Sequence, residues 1–284
     1  MGINRFIRCT VALAAMWLVF IQISQAQQPP ARIYNTVKEK LARGEQVVGG
    51  TVTSSDPNMY CAMANAGYDF LWIEMQHSPL SYQEVARMIW ACRDAPAIPF
   101  VRVPDATAGD IQKATDIGAL GIIIPLVDTT EKISAAVQYA KYPPMGIRSQ
   151  GNGQYRGLWG DDYRQTANEN IMLVAMIEAP AGVTVVDQIA AVEGVDVVMV
   201  ASTDLGSFSG LRQGNARYES MVEEVRQATL DAGLALGGPQ AWRDREGFQF
   251  FQGPTDANLL REGVQWSLET LGGGVAAIEG AEER

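Results

Sequence analysis

Residues 68–79 read Tyr68-Asp-Phe-Leu-Trp-Ile-Glu-Met-Gln-His-Ser-Pro79, an apolar and aromatic run that turns polar at its end. Phe70 to Met75 shows no strict alternation of apolar and polar residues, so the strand it predicts is buried on both faces, as in a parallel sheet. Pro79 lacks the N–H that a ladder needs, and the chain leaves the sheet there. His77, at that exit, is the only histidine in 284 residues. It is therefore the one imidazole able to titrate near neutrality.

Working outward, the same kind of run recurs along the chain. The other predicted strands are Val47 to Val52, Ile98 to Val103, Gly121 to Leu126, Met172 to Glu178, Val195 to Ala201, Leu234 to Gly238 and Phe248 to Gln252. Segments of helical period separate most of them: Tyr82 to Cys92, Gly109 to Ile117, Thr130 to Lys141, Val183 to Val192, Tyr218 to Ala232 and Asn258 to Leu271. Eight strand–helix units in this length predict an α/β fold of the (β/α)8 TIM-barrel kind. A doubly wound open sheet is the rival, but Gly49-Gly50-Thr51 is no dinucleotide fingerprint. A helix over Ile33 to Leu41 is expected to cover the bottom of the barrel. The long connection Tyr142 to Asn170 is expected on the active-site side, as a functional lid or a disordered segment. Within it, Gly151-Asn-Gly-Gln-Tyr-Arg-Gly157 resembles a phosphate loop only superficially, since no strand precedes it.

The first 26 residues read as a signal peptide rather than as part of the fold, with an uncleaved N-terminal anchor as the alternative. Arg5 and Arg8 form a basic start, Val11 to Ile21 is apolar, and Ser24-Gln25-Ala26 offers small residues at the cleavage positions. The expected location is periplasmic or secreted. Cleavage leaves a single domain over 27–271 and a flexible acidic tail over 272–284. It deletes two arginines and no acid, moving the net charge from −10 to −12. So acidic a chain argues against nucleic acid and against stable membrane association as partners. Cys61 and Cys92 are expected as two buried thiols, with a single bridge the alternative in an oxidising compartment. One histidine and two cysteines cannot build a zinc site of the His- or Cys-rich kind.

In a barrel the C-terminal ends of the strands converge on one mouth. Those ends supply Glu74, His77, Arg102, Glu178 and Asp204. Charges in buried strands are costly unless they are paired or bind metal. Glu178 and Asp204, two carboxylates with no histidine beside them, suit a hard divalent ion. Mg2+ is expected, with Mn2+ or Co2+ able to substitute. A structural ion-pair network with Arg102 is the alternative.

The chain resembles the HpcH/HpaI aldolase and citrate lyase superfamily of class II, metal-dependent pyruvate aldolases. The resemblance rests on Gly67 to His77, Phe100-Val-Arg-Val103, Asp116-Ile-Gly-Ala119, Ile124-Pro-Leu126, Tyr142-Pro-Pro-Met-Gly-Ile-Arg148, Ile177-Glu178, Val192-Glu-Gly-Val-Asp196 and Asp204-Leu205. It implies that His77 is the general base and that Asp116 raises its basicity. It also implies that Arg102 stabilises an enolate, and that the Thr203 N–H, with Arg102 and Asp204, seats the substrate. The implied partners are a small 2-oxo acid and an aldehyde, joined or cleaved through 2-oxo-4-hydroxy acids. A homo-oligomer with an exchanged C-terminal helix is implied too. Glu74, Gln76 and Met176 depart from the family pattern around the site and put substrate choice in question. The alternatives are an exported protein that binds oxo acid and metal with little catalysis, and a citrate-lyase-like C–C lyase. With no lysine at a matching strand end, a Schiff-base route is disfavoured.

Overall fold

The computed structural model describes residues 31–270, within which eight parallel strands close into a barrel in chain order. They are β1 (Val47–Val52), β2 (Phe70–Glu74), β3 (Ile98–Arg102), β4 (Gly121–Ile124), β5 (Met172–Ile177), β6 (Val197–Val200), β7 (Ala235–Pro239) and β8 (Phe248–Thr255). The (β/α)8 class expected from the sequence is the fold. The expected signal peptide (1–26) and acidic tail (272–284) lie outside the described residues. Among the described residues no helix is long and apolar enough to cross a membrane.

The predicted N-terminal helix is α1 (Thr36–Ala42), and it closes the N-terminal end of the barrel. Just before it, the Asn35 amide donates to the carbonyls of Leu120 and Asn170, where β4 and β5 begin. Lys40 pairs with Asp69 and Lys38 with Asp196, two acids that immediately precede β2 and β6. Those acids accept in turn from the amides of Val48 and Leu173.

A helix absent from the sequence reading, α2 (Pro57–Ala64), joins β1 to β2. Asp56 caps it by accepting from the Asn58 amide at 2.8 Å, and Pro57 opens it. It packs beside α3 (Tyr82–Ala91), whose start is a capping box of Ser81 and Glu84. That packing corrects the expectation of free thiols: Cys61 on α2 and Cys92 at the end of α3 form a disulfide. Adjacent helices bring the two Cα atoms to 5.5 Å, although 31 positions separate them in sequence. Reducing a bridge over such a loop is expected to lower stability by about 3–4 kcal/mol. Thermal unfolding with and without dithiothreitol checks this, and an unchanged midpoint would refute it.

Along each strand alternate residues face the interior. Phe70, Phe100 and Phe250 pack there with ring centroids 4.5–5.8 Å apart. Glycine makes room for them: a Cβ on Gly49 would meet the Phe70 ring at 2.1 Å, and one on Gly121 the Phe100 ring at 1.8 Å. The same alternation carries Trp72 and Glu74 inward on β2, and Arg102 on β3. The interior thus changes from aromatic to charged along the barrel axis.

The remaining helices are α4 (Ala108–Asp116), α5 (Thr130–Ala140), α6 (Tyr155–Trp159), α7 (Tyr163–Asn170), α8 (Pro180–Thr184), α9 (Val186–Ala190), α10 (Ser202–Ser209), α11 (Ala216–Asp231) and α12 (Asp256–Thr270). The Tyr142 to Asn170 connection, expected at the active-site side, lies at the opposite end and contains α6 and α7. The reason is topological. It leaves α5, which has run back along the barrel, and enters the N-terminal end of β5, where Met172 donates to the Leu120 carbonyl.

Candidate active site

Strand register builds the first half of the site. Glu74 lies opposite Arg102 in the β2–β3 pairing. The Arg102 Nε donates to Glu74 Oε2 at 2.5 Å, and the Trp72 indole N–H donates to the same oxygen at 3.1 Å. The other oxygen, Oε1, accepts the backbone amides of Gln76 at 2.8 Å and His77 at 3.0 Å. Ser78 Oγ donates to the Glu74 carbonyl. One carboxylate with four donors therefore ties the arginine to the turn that carries the histidine. Both charges are nearly closed to solvent, with Glu74 3 % and Arg102 7 % exposed. The Arg102 guanidinium lies 5.6 Å from the centre of the Trp72 ring. His77 itself is exposed at the mouth.

Glu178, one residue past β5, supplies the second half. Leu126 donates its backbone N–H to Glu178 Oε1 at 2.9 Å. To do so it adopts φ 51°, and among the described residues no other non-glycine has a positive φ. A left-handed L-residue costs roughly 1–2 kcal/mol. Val127, donating to the Met176 carbonyl at 3.0 Å, holds the turn in place. Burial pushes the Glu178 carboxyl above its usual range, and Asp204 adds to the rise. The Leu126 amide, Arg102 and His77 act the other way without cancelling it. Asp204, Arg102 and His77 thus all stand near enough to bias one carboxylate.

Asp204 lies in the first turn of α10, where Ala201 provides no side-chain cap. The first amides of that helix keep their favourable field for an anion. Ser202, Thr203 and Asp204 line a cleft of about 160 Å3 with Arg102, Met176 and Gln252. The structure therefore gathers Glu74, Gln76, His77, Arg102, Met176, Glu178, Thr203 and Asp204 around one mouth. Gln76 places its Oε1 in the interior without a hydrogen-bond partner.

Asp116 is not brought to His77 within the chain. It ends α4, just before the N-terminal end of β4, whereas His77 follows the C-terminal end of β2. A strand length, on the order of 15 Å, separates these levels. Asp116 instead accepts from Arg148 Nη2 at 2.9 Å and from the Gln112 amide at 2.8 Å. Arg148 is buried among Tyr142, Tyr155 and Tyr163. A larger depression of about 440 Å3 near Arg156 and Arg164 belongs to that far end as well.

Sequence reasoning passed over three residues of the site, and also Asp256, which fastens the start of α12 to the segment after β1. Trp72 had a signal, because period-two spacing places it on the same face as Glu74. Gln252 had the same signal on β8 relative to Phe250. Asp256 had a weaker one, as an acid opening a helix. Burial opposes its ionised form, but Thr53 and the amides of Thr53, Ser54 and Ala257 outweigh this and hold its carboxyl below the usual range. Leu126 had none, since leucine gives no sign of a left-handed turn.

The donor set fits a hard divalent ion. Among the described residues no cluster of three or more His, Cys, Asp or Glu gathers, so an ion held by Glu178 and Asp204 would keep water or substrate oxygens beside them. In the metal-free folded protein the raised Glu178 carboxyl keeps its proton to a higher pH than it does in the unfolded chain. Stability of the metal-free protein is therefore expected to fall as pH rises from the usual carboxylate value through the raised one. Glu178→Gln is expected to flatten that slope and to abolish the rise in Tm on adding Mg2+ or Mn2+. Unfolding midpoints of both proteins across pH 4–8 check this. An equal metal response in the variant would remove Glu178 from the ligand set.

Comparison with known proteins agrees with this geometry. Residues 51–238 match the family described as HpcH/HpaI aldolase/citrate lyase. The chain is 33 % identical over 209 residues to a hydroxypyruvate/pyruvate aldolase of Roseovarius nubinhibens, covering 72 % of this chain and 81 % of that one. It is 31 % identical over 212 residues to a 2-keto-3-deoxy-L-rhamnonate aldolase of Salmonella gallinarum, covering 73 % and 79 %. Among solved structures, citrate synthase SbnG superposes with a TM-score of 0.72 at 32 % identity, over 82 % of this chain and 96 % of that one.

Proposed function

This chain belongs to the HpcH/HpaI aldolase/citrate lyase family, and on that premise we propose that it cleaves or forms 2-oxo-4-hydroxy acids through a pyruvate enolate. The enzyme class is that of an aldolase, a carbon–carbon lyase. The observation that carries the finer reading is the Glu74 carboxylate, which fixes Arg102 and the His77 turn at the mouth that also holds Glu178 and Asp204.

In the cleavage direction, the C4 hydroxyl must lose its proton as the C3–C4 bond breaks. His77, exposed at the mouth and the only imidazole of the chain, is the base for that proton. The electron pair of the broken bond settles on the oxo acid as an enolate. Arg102 faces it with its Nη groups, of which Nη1 lies 4.0 Å from the Met176 thioether sulfur. Held rigid by Glu74, the guanidinium stabilises developing charge with little reorganisation. Thr203 and its neighbouring amides at the start of α10 seat the carboxylate. Glu178 and Asp204 would hold Mg2+, Mn2+ or Co2+, which supplies Lewis acidity to the oxo acid.

Exchange of the pyruvate methyl protons in D2O, followed by NMR with and without Mg2+ or Mn2+, tests this reading without knowledge of the aldehyde. Metal-dependent exchange supports it. Binding of pyruvate or oxalate without exchange would favour an oxo-acid-binding protein instead.

Two further expectations belong to the same proposal. The disulfide and the leader-like first 26 residues support export to an oxidising compartment. Mass spectrometry of the exported protein should find Gln27 at its N-terminus. Leu260, Val264, Trp266 and Leu268 stand exposed on α12, with Trp266 68 % exposed, which supports a homo-oligomer. Light scattering at micromolar concentration should show more than one copy.

A further inference from the structure

The register of β5 and β6 places Met176 directly beside Met199. Both are almost completely buried and both line the cleft that holds Arg102, Thr203 and Asp204. Pro239 and Val200 continue the same wall. However an oxo acid is turned, its carboxylate and keto oxygens need the cationic and amide side of the cleft. Beyond Arg102 and the Ser202 to Asp204 segment that forms that side, the lining is thioether and hydrocarbon, with one exception. Gln252 offers a side-chain amide, 3.5 Å from Thr51 Oγ1.

Resting on the reading above, we infer that Met176 and Met199 make the site select, as the oxo acid that forms the enolate, those whose C3 bears only hydrogen or a short alkyl group before an aldehyde is added. Pyruvate and 2-oxobutyrate are then preferred over hydroxypyruvate. A C3 hydroxyl set against two thioethers gives up its hydrogen bonds to water and receives weak acceptors and no donor in return. A methyl group there meets polarisable, adaptable surface that accommodates small changes of shape. An apolar wall rejects an added hydroxyl only by about 10²-fold at most, which sets the scale of the preference.

The test compares C3 proton–deuterium exchange for pyruvate, 2-oxobutyrate and hydroxypyruvate with the Mg2+-loaded enzyme. Each rate is divided by that with free Mg2+, to remove differences in intrinsic acidity. Expected is a kcat/KM for the first two acids that exceeds that for hydroxypyruvate by 10- to 100-fold. Met176→Gln should shrink the ratio at least tenfold, by raising the hydroxypyruvate value. Met176→Leu, which keeps the wall apolar and controls for folding, should preserve it. Equal rates for all three acids in the unaltered enzyme overturn the inference and leave the aldolase reading standing. Absence of exchange with every acid overturns both.

Discussion

Replacing His77 by alanine is expected to lower metal-dependent exchange of the pyruvate methyl protons by 10²–10⁴-fold. The same fall should appear in aldol cleavage with any accepted aldehyde partner. Stability should change by no more than about 0.5 kcal/mol, because the ring is exposed at the mouth and, among the described residues, takes no side-chain hydrogen bond. What the fold requires of residue 77 is its backbone amide on Glu74, which alanine keeps. Activity and stability are thus predicted to separate cleanly at this position. A variant retaining a tenth or more of the exchange rate would assign the proton to another group.

Glu74→Gln should behave in the opposite way, with activity and stability falling together. The substitution leaves Arg102, 7 % exposed, without its counter-charge in the barrel interior. Removing one partner of a buried ion pair costs about 3–5 kcal/mol, because the other charge stays behind. The Gln76 and His77 amides also lose a charged acceptor, so the base and the enolate-facing arginine lose their shared anchor. Urea unfolding of Glu74→Gln, Arg102→Met and the double variant checks the energetic part. The double variant should be less destabilised than the sum of the singles by more than 1 kcal/mol. Additive losses would mean that the two side chains act independently, against the 2.5 Å contact between them.

The barrel was legible because parallel strands write themselves as unbroken apolar runs, and eight of them leave few alternatives. The mouth was legible for a related reason: charged residues at the ends of such runs have no cheap explanation. What escaped was set by neighbours in space. The sequence around Pro57 carries an Asp-Pro helix start, yet Pro57–Ala64 holds no charged residue and lacks the polar face by which an amphipathic helix is read. Without α2 beside α3, the pairing of Cys61 with Cys92 could not be read from a separation of 31. Asp116 shows the complementary limit. A motif carries over a residue's place in the chain, but here that place lies across the barrel from His77, against Arg148. The long connection was assigned to the wrong end because its length suggested a lid, whereas its position after a helix and before a strand fixes the end it occupies.

The Glu74 carboxylate has one further consequence. Its two oxygens offer about four lone-pair directions, and four donors of the chain itself already use them. Nothing is left over for an ion, so an ion held by Glu178 and Asp204 would take the rest of its shell from water or from the oxo acid. If the oxo acid completes that shell, ion and acid become each other's effectors. Each must raise the other's affinity by the same factor, whichever arrives first. Such an enzyme draws in its metal as its substrate appears and releases it when the substrate is spent, so loading follows the supply of oxo acid rather than of metal alone.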